Sequence, residues 1–247
     1  MKIKIAVPIL LIFIWPQLLW ALTGREILDQ SDKLTKPKTA ESNIIMKIYK
    51  GKRVDEKAFT LYAKDSPDGE GKTLLSFQKP THIQLLTHAH KAKADDQWLV
   101  LSSGRVKRIS SGDKGKSFVH SHFYFEDMSG RDIDAFNYTY LGDEKVLDED
   151  CYKVESTKKT EDEKVYDKKV LYVRKSDYYV IRVDFYLKGR LHKYLENKEV
   201  KTINGILTPL LSVMSLADGK ERTELHVDQV KYNIEIGDAK FNKEALR

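Results

Sequence analysis

Ile181-Arg182-Val183-Asp184-Phe185-Tyr186-Leu187 is the stretch whose reading decides the fold. In an extended chain successive side chains point to opposite faces. Ile181, Val183, Phe185 and Leu187 then share one side, with Arg182, Asp184 and Tyr186 on the other. Such alternation marks a strand with two different faces. Lys188-Gly189 follows as a breaker, and beyond it come β-like runs at 190–202, 206–216 and 222–232, parted by Asn204-Gly205 and Asp218-Gly219. Dipeptides of this kind at these spacings are hairpin turns.

The same pattern extends toward the N-terminus. Ile44, Met46 and Ile48 alternate with Ile45, Lys47 and Tyr49, and Phe59, Leu61 and Ala63 alternate with Thr60 and Tyr62. Runs at 73–78, 82–87, 97–101, 105–109, 136–141, 151–157 and 168–174 complete the series, with Ser66-Pro67-Asp68-Gly69 and Ser102-Ser103-Gly104 among the breakers. Two segments read as helix. Residues 22–36 place Ile27, Leu28, Ser31 and Leu34 on one face behind a Thr23/Glu26 capping box and stop at Pro37. Asp238 to Leu246 reads as a short C-terminal helix. The expectation is a mainly β domain over 22–247: one large antiparallel sheet with a few helices. Several strands, such as 97–101 and 210–214, are apolar on both faces. A sheet of that kind must be covered on both sides, so it is expected to curl on itself around a packed core or a cavity.

The first 21 residues read as a secretory signal peptide: Lys2 and Lys4, an apolar run from Ile5 to Trp15, then Leu18-Leu19-Trp20-Ala21 with cleavage near Ala21. The alternative, an uncleaved anchor, would have about 18 residues, close to the ~17 lower limit for a spanning helix. No cysteine follows the cut, so the expected product is diffusible and periplasmic. The chain holds 43 Lys and Arg against 37 Asp and Glu, a net charge of +6, and the charges are mixed rather than blocked. That speaks against a nucleic-acid partner. Cys151 is the single cysteine, so stability comes from burial and strand pairing rather than a disulfide.

Three chemical motifs are weighed and set aside. His120 and His122, near Glu126 and Asp127, have H-x-H spacing, but no HExxH and no cysteine pair accompany them, and a zinc site needs three or four ligands. Ser110 to Ser117 nearly matches a phosphate-binding loop but lacks its first glycine and a following helix; its Lys114 and Lys116 read as solvated or as contacts to anionic headgroups. Cys151 reads as a small buried hydrophobe. No G-x-S-x-G elbow is present. No catalytic residue, metal or cofactor is expected, and the chain is not read as an enzyme.

An ordered set of motifs carries a resemblance. It comprises Asp95-Asp96-Gln97-Trp98-Leu99-Val100-Leu101, Gly104-Arg105-Val106-Lys107-Arg108-Ile109, Gly115-Lys116-Ser117-Phe118 and Phe123-Tyr124-Phe125-Glu126-Asp127. Arg131-Asp132, Tyr140-Leu141-Gly142-Asp143-Glu144, Cys151-Tyr152-Lys153-Val154-Glu155, Arg222-Thr223-Glu224-Leu225, Val230-Lys231-Tyr232-Asn233 and Glu244-Ala245-Leu246-Arg247 follow in order. Over the whole chain after the leader, this set resembles the outer-membrane lipoprotein-sorting-like family, relatives of the periplasmic carrier LolA. Val119-His120-Ser121-His122 departs from the family pattern, which has smaller or acidic residues there.

The resemblance implies a strongly curved, half-open antiparallel barrel with a few helices closing its open side. It also implies a carrier of lipidated protein or lipid toward the outer membrane, with an inner-membrane exporter of the resistance-nodulation-division type as partner, transient membrane-surface contact and a monomeric state. A chain of roughly 16 carbons at about 0.8 kcal/mol per methylene resists leaving a membrane by ~12 kcal/mol, so crossing water calls for an apolar shelter. The candidate cavity lining is Met46, Phe59, Phe77, Trp98, Phe118, Phe123, Phe125, Tyr138, Tyr140, Phe185 and Met214. The competing expectation is a non-transporting accessory or sensor module of an envelope exporter, with these residues forming a plain core.

Overall fold

Short breakers between alternating runs force each strand back beside its predecessor, and the computed structural model shows a meander of this kind. It describes residues 22–66, 70–91, 93–130, 132–160 and 165–246. The leader at 1–21 lies outside the described residues, as do 67–69, Ala92, Arg131, 161–164 and Arg247. Thirteen strands form a single sheet: β1 (Thr39–Lys50), β2 (Arg53–Lys64), β3 (Lys72–Lys79), β4 (Ile83–His88), β5 (Asp96–Val100), β6 (Val106–Arg108), β7 (Phe136–Val146), β8 (Glu149–Lys158), β9 (Lys168–Arg174), β10 (Val180–Leu187), β11 (Arg190–Ile203), β12 (Ile206–Leu216) and β13 (Arg222–Tyr232). Every run expected to be a strand is one. The spatial order is β6-β5-β4-β3-β2-β1-β13-β12-β11-β10-β9-β8-β7. The sheet is mainly β, antiparallel, strongly curved and not closed. Its first and last strands pair at the centre, Tyr49 opposite Arg222 and Ala40 opposite Tyr232.

This order leaves β6 and β7 as the two free edges, and they are consecutive in sequence. The segment joining them, 109–135, must therefore cross the open side. It packs on the same sheet face in both arms. Ile109, Phe118 and Phe125 pack with Ile44, Met46, Ile48, Phe59, Leu75, Phe77 and Leu85, while Phe123 packs with Phe185 and Met214. A segment that touches both arms of a curved sheet on one face lies on its concave side. The opposite face of β2 to β5 is covered by the C-terminal segment: Ile234, Ile236, Phe241 and Leu246 lie over Tyr62, Leu74, Leu86, Trp98 and Val100. Neighbouring residues such as Leu74 and Leu75, or Leu85 and Leu86, thus belong to different clusters. The doubly apolar run at 97–101 and its neighbours in β2 to β5 are explained by two separate covers.

Four expectations are corrected. The open side is crossed not by helices but by an irregular segment with short 3-10 turns at Ser111–Asp113, Phe125–Met128 and Ile133–Ala135. The only α-helix among the described residues is α1 (Gly24–Asp32), with Ile27 and Leu28 buried against Val154, Leu171 and Val173. Its capping box is present, the Glu26 carboxylate accepting from Thr23 N–H at 2.8 Å. It ends at Asp32 rather than at 36, since Pro37 disfavours helical geometry at the residue before it and the chain must be extended by Thr39. A side chain on Gly24 would meet the β7 backbone at 2.9 Å, so α1 can lie this close only by beginning with glycine. The C-terminal segment forms 3-10 turns at Asp238–Phe241 and Lys243–Ala245 rather than a helix.

The fourth correction falls on the opening heptapeptide. A bulge between Val180 and Arg182 turns Ile181 to the convex face, where it packs with Val170 and Tyr172. Val183 and Phe185 remain on the concave side. An extra residue in one strand locally breaks the period of two.

Phe118 is fully buried and meets Phe77 and Phe125 edge-on at 5.7 and 5.6 Å. Phe118→Ala is expected to destabilise the fold by about 3–5 kcal/mol, read as a fall in the urea midpoint at unchanged slope.

Candidate functional site

The crossing segment is fixed to the sheet by a buried ion pair. Lys193, on β11 two positions before Leu195, points into the concave side and is fully buried. Its ammonium donates to Asp127 Oδ2 at 2.6 Å and to the His122 carbonyl at 2.8 Å, and lies 3.6 Å from the Tyr124 ring centre. Asp127 also accepts from the Tyr124 N–H and the Tyr166 hydroxyl, each at 2.7 Å. Burial pushes the Lys193 pKa down and the Tyr166 pKa up. A second tie joins His122 to β13. Thr223 Oγ1 lies 3.0 Å from the His122 N–H and 2.8 Å from its Nδ1, and Glu221 lies 3.3 Å from Nε2. Burial lowers the His122 pKa and favours the neutral ring, in which the hydroxyl donates to Nδ1 and Nε2–H donates to Glu221.

These ties leave a gap between the segment and the far arm. A cavity of about 220 Å³ opens there. Its apolar wall comes from Phe123, Leu171, Val183, Phe185, Leu195 and Met214, and its polar side from Glu126, Ser129, Ser156 and Lys169. Burial raises the Glu126 pKa. The Ser129 hydroxyl oxygen is buried without a hydrogen-bond partner among the described residues. The volume lies below the ~300–1,000 Å³ of most small-molecule sites. A second, polar cleft of about 340 Å³ shares Gly130 with the first cavity and is lined by Asp32, Lys36, Asp65, His90, Asp132 and Asp134 among others.

The sequence-expected lining residues divide four ways. Phe123, Phe185 and Met214 line the 220 Å³ cavity. Met46, Phe59, Phe77, Phe118 and Phe125 lie together in the packed core beneath β1 to β4. Tyr138 and Tyr140 pack beside α1. Trp98 is on the convex face under the C-terminal segment. Leu171, Val183 and Leu195 line the cavity with Phe136 and Val180 and are not among the expected lining residues, although Val183 shares a strand face with Phe185.

The motifs set aside separate in space. Val119 and His120 have φ of 46° and 63°, so 119–122 is a turn and not a strand; His120 is exposed while His122 is buried. Among the described residues no cluster of three or more His, Cys, Asp or Glu is arranged to hold a metal. Lys114 is buried rather than solvated, and Lys116 pairs with Asp113. Cys151 is buried and its thiol is pushed up to about 11.

The strongly curved, unclosed sheet is a LolA-like fold. Residues 69–247 match the model of a family described as "-like: Uncharacterized protein", and the chain belongs to that family. A structure described as an outer membrane lipoprotein-sorting protein domain from Vibrio parahaemolyticus is similar at 27% identity and a TM-score of 0.85, over 90% of this chain and 97% of that one. A DUF1329 family protein from Desulfovibrio piger gives 29% identity and 0.84, over 91% and 98%. A LolA superfamily protein from Nitrosomonas europaea shares the fold at 20% identity and 0.72, over 92% and 100%. No curated protein matches the chain.

Two outcomes follow from the buried ties. Asp127→Ala strands a buried ammonium and is expected to cost about 3–5 kcal/mol, whereas Lys193→Met with Asp127→Leu recovers most of it; chemical denaturation of the two variants checks this. The lowered His122 pKa means the unfolded chain takes up a proton first. The contribution is whole above the ordinary histidine value of 6.5 and is lost as pH falls below it toward the folded value. His122→Gln is expected to flatten that decline in a pH series of melting temperatures.

Proposed function

We propose that the protein is exported, trimmed near Ala21, and carries lipid or lipidated protein through the periplasm toward the outer membrane, with an inner-membrane exporter as donor. The observation that carries this reading is the cavity walled by Phe123, Leu171, Val183, Phe185, Leu195 and Met214 on the concave face of a LolA-like sheet. Each methylene transferred from water to such a wall contributes about 0.8 kcal/mol. Phe123, Phe185 and Met214 then contact the acyl chain, and Glu126 and Lys169 meet the polar end. A whole acyl chain exceeds the present volume, so loading requires the crossing segment to withdraw from the far arm. Release needs no nucleotide if an acceptor binds the chain more tightly.

The filled core beneath β1 to β4 favours a second reading, an accessory or sensor module that binds an exporter through a protein surface. Recovery of one exporter by the tagged protein, with lipid assays negative, would select it.

Native mass spectrometry of protein recovered from the periplasm is expected to show co-purifying lipid, and a fluorescent fatty acid is expected to bind. Val183→Trp fills the cavity and should weaken probe binding by at least an order of magnitude while Trp98, on the convex face, tolerates Phe without effect. Absence of lipid together with absence of probe binding would sink the carrier reading.

A further inference from the structure

The two ends of the sheet differ in charge. Antiparallel order places the β1–β2, β3–β4, β5–β6, β8–β9, β10–β11 and β12–β13 turns at one end, since Tyr49 at the end of β1 lies opposite Arg222 at the start of β13. Lys50, Lys52, Lys79, Arg105, Lys188 and Arg190 lie in or beside these turns, all exposed, and none has an ion-pair partner among the described residues. Among the described residues the acids at this end are mostly engaged: Asp55 by Arg53, Asp167 by the Gly189 N–H, and Glu221 by His122; in sequence the β8–β9 connection adds Glu161, Asp162 and Glu163 beside Lys158, Lys159 and Lys164. Asp218 lies 4.0 Å from Lys220. At the opposite end the turns hold Asp65, Glu70, Asp95, Asp148 and Asp177, interspersed with Lys91, Lys93 and Lys175.

A second observation coincides with the first. Val54 and Val106, 53% and 39% exposed, are among the few exposed large hydrophobics. Each directly follows a cation at this end, Arg53 and Arg105. Fixed cations with apolar side chains beside them match the layered chemistry of a bilayer interface, where headgroup phosphates lie above acyl carbons.

We infer that the cationic turn end docks on the surface of an anionic phospholipid bilayer, with Lys52, Lys188 and their neighbours on headgroup phosphates and Val54 and Val106 at the interface. The contact is peripheral and electrostatic, so salt screens it. It does not depend on what occupies the concave cavity, and it orients the sheet with this ring of turns toward the membrane.

The test is co-sedimentation with phosphatidylcholine vesicles and with vesicles in which about one-third of the lipid is phosphatidylglycerol. Binding is expected to the anionic vesicles alone and to fall as salt is raised. Each cation contributes a factor of about five, so Lys52→Gln with Lys188→Gln is expected to weaken binding about 25-fold. Lys33→Gln with Lys93→Gln, at the opposite end, should leave it unchanged. All four positions are exposed, and unchanged melting temperatures verify the fold. Equal binding to neutral vesicles, no binding to anionic ones, or an equal loss in the opposite-end pair overturns the inference. Loss of the bound fatty acid with vesicle binding intact would bear on the carrier reading alone.

Discussion

The buried pair of Lys193 and Asp127, 2.6 Å apart, is the interaction on which the interior depends. The strand order makes the two free edges of the sheet sequence neighbours, so the segment between them has to cross the concave side. What that segment does there decides whether the sheet encloses a core or a binding site. Apolar contacts alone would let it slide over the broad face. The ammonium of Lys193, held between a carboxylate, a carbonyl and the Tyr124 ring, sets one register. Phe118 and Phe125 then fall into the arm of β1 to β4, and Phe123 against the arm of β10 to β12.

The result is an asymmetric interior. One arm is filled and cannot accept a ligand without unpacking large aromatics. The other keeps a gap lined with Val183, Leu195 and Met214. A buried ion pair is a costly anchor compared with apolar packing. It is also a reversible one: it specifies a single closed arrangement but adds less net stability than an apolar equivalent would. That combination suits the carrier role proposed above, in which the segment would close on an empty cavity and yield to cargo.

Much of the fold is legible in the sequence because a period of two is hard to mistake when one or both faces are buried. The thirteen strands and most of their turns, Lys188-Gly189 and Asn204-Gly205 above all, follow from it. Bulges are not legible, and one of them moved Ile181 to the wrong face of the clearest strand. The end of α1 is less legible, because Pro37 restricts only the residue before it and the chain leaves the helix at Asp32 to become extended by Thr39. The cavity was less legible still. Phe59, Phe77 and Phe118 have the same chemistry as Phe123 and Phe185, and which of them line a gap depends on where a nonperiodic segment docks. One signal was present: Lys193 occupies an inward position on β11, and a lysine in an apolar row needs a buried acid.

The most direct measurement is photo-crosslinking of a diazirine-bearing fatty acid to the protein, followed by mapping of the adducts. The account predicts adducts on Leu171, Val183, Phe185, Leu195 and Met214 that vanish on competition with unlabelled fatty acid. Adducts spread over the exposed surface, or confined to the convex face around Trp98 and Phe241, would contradict it.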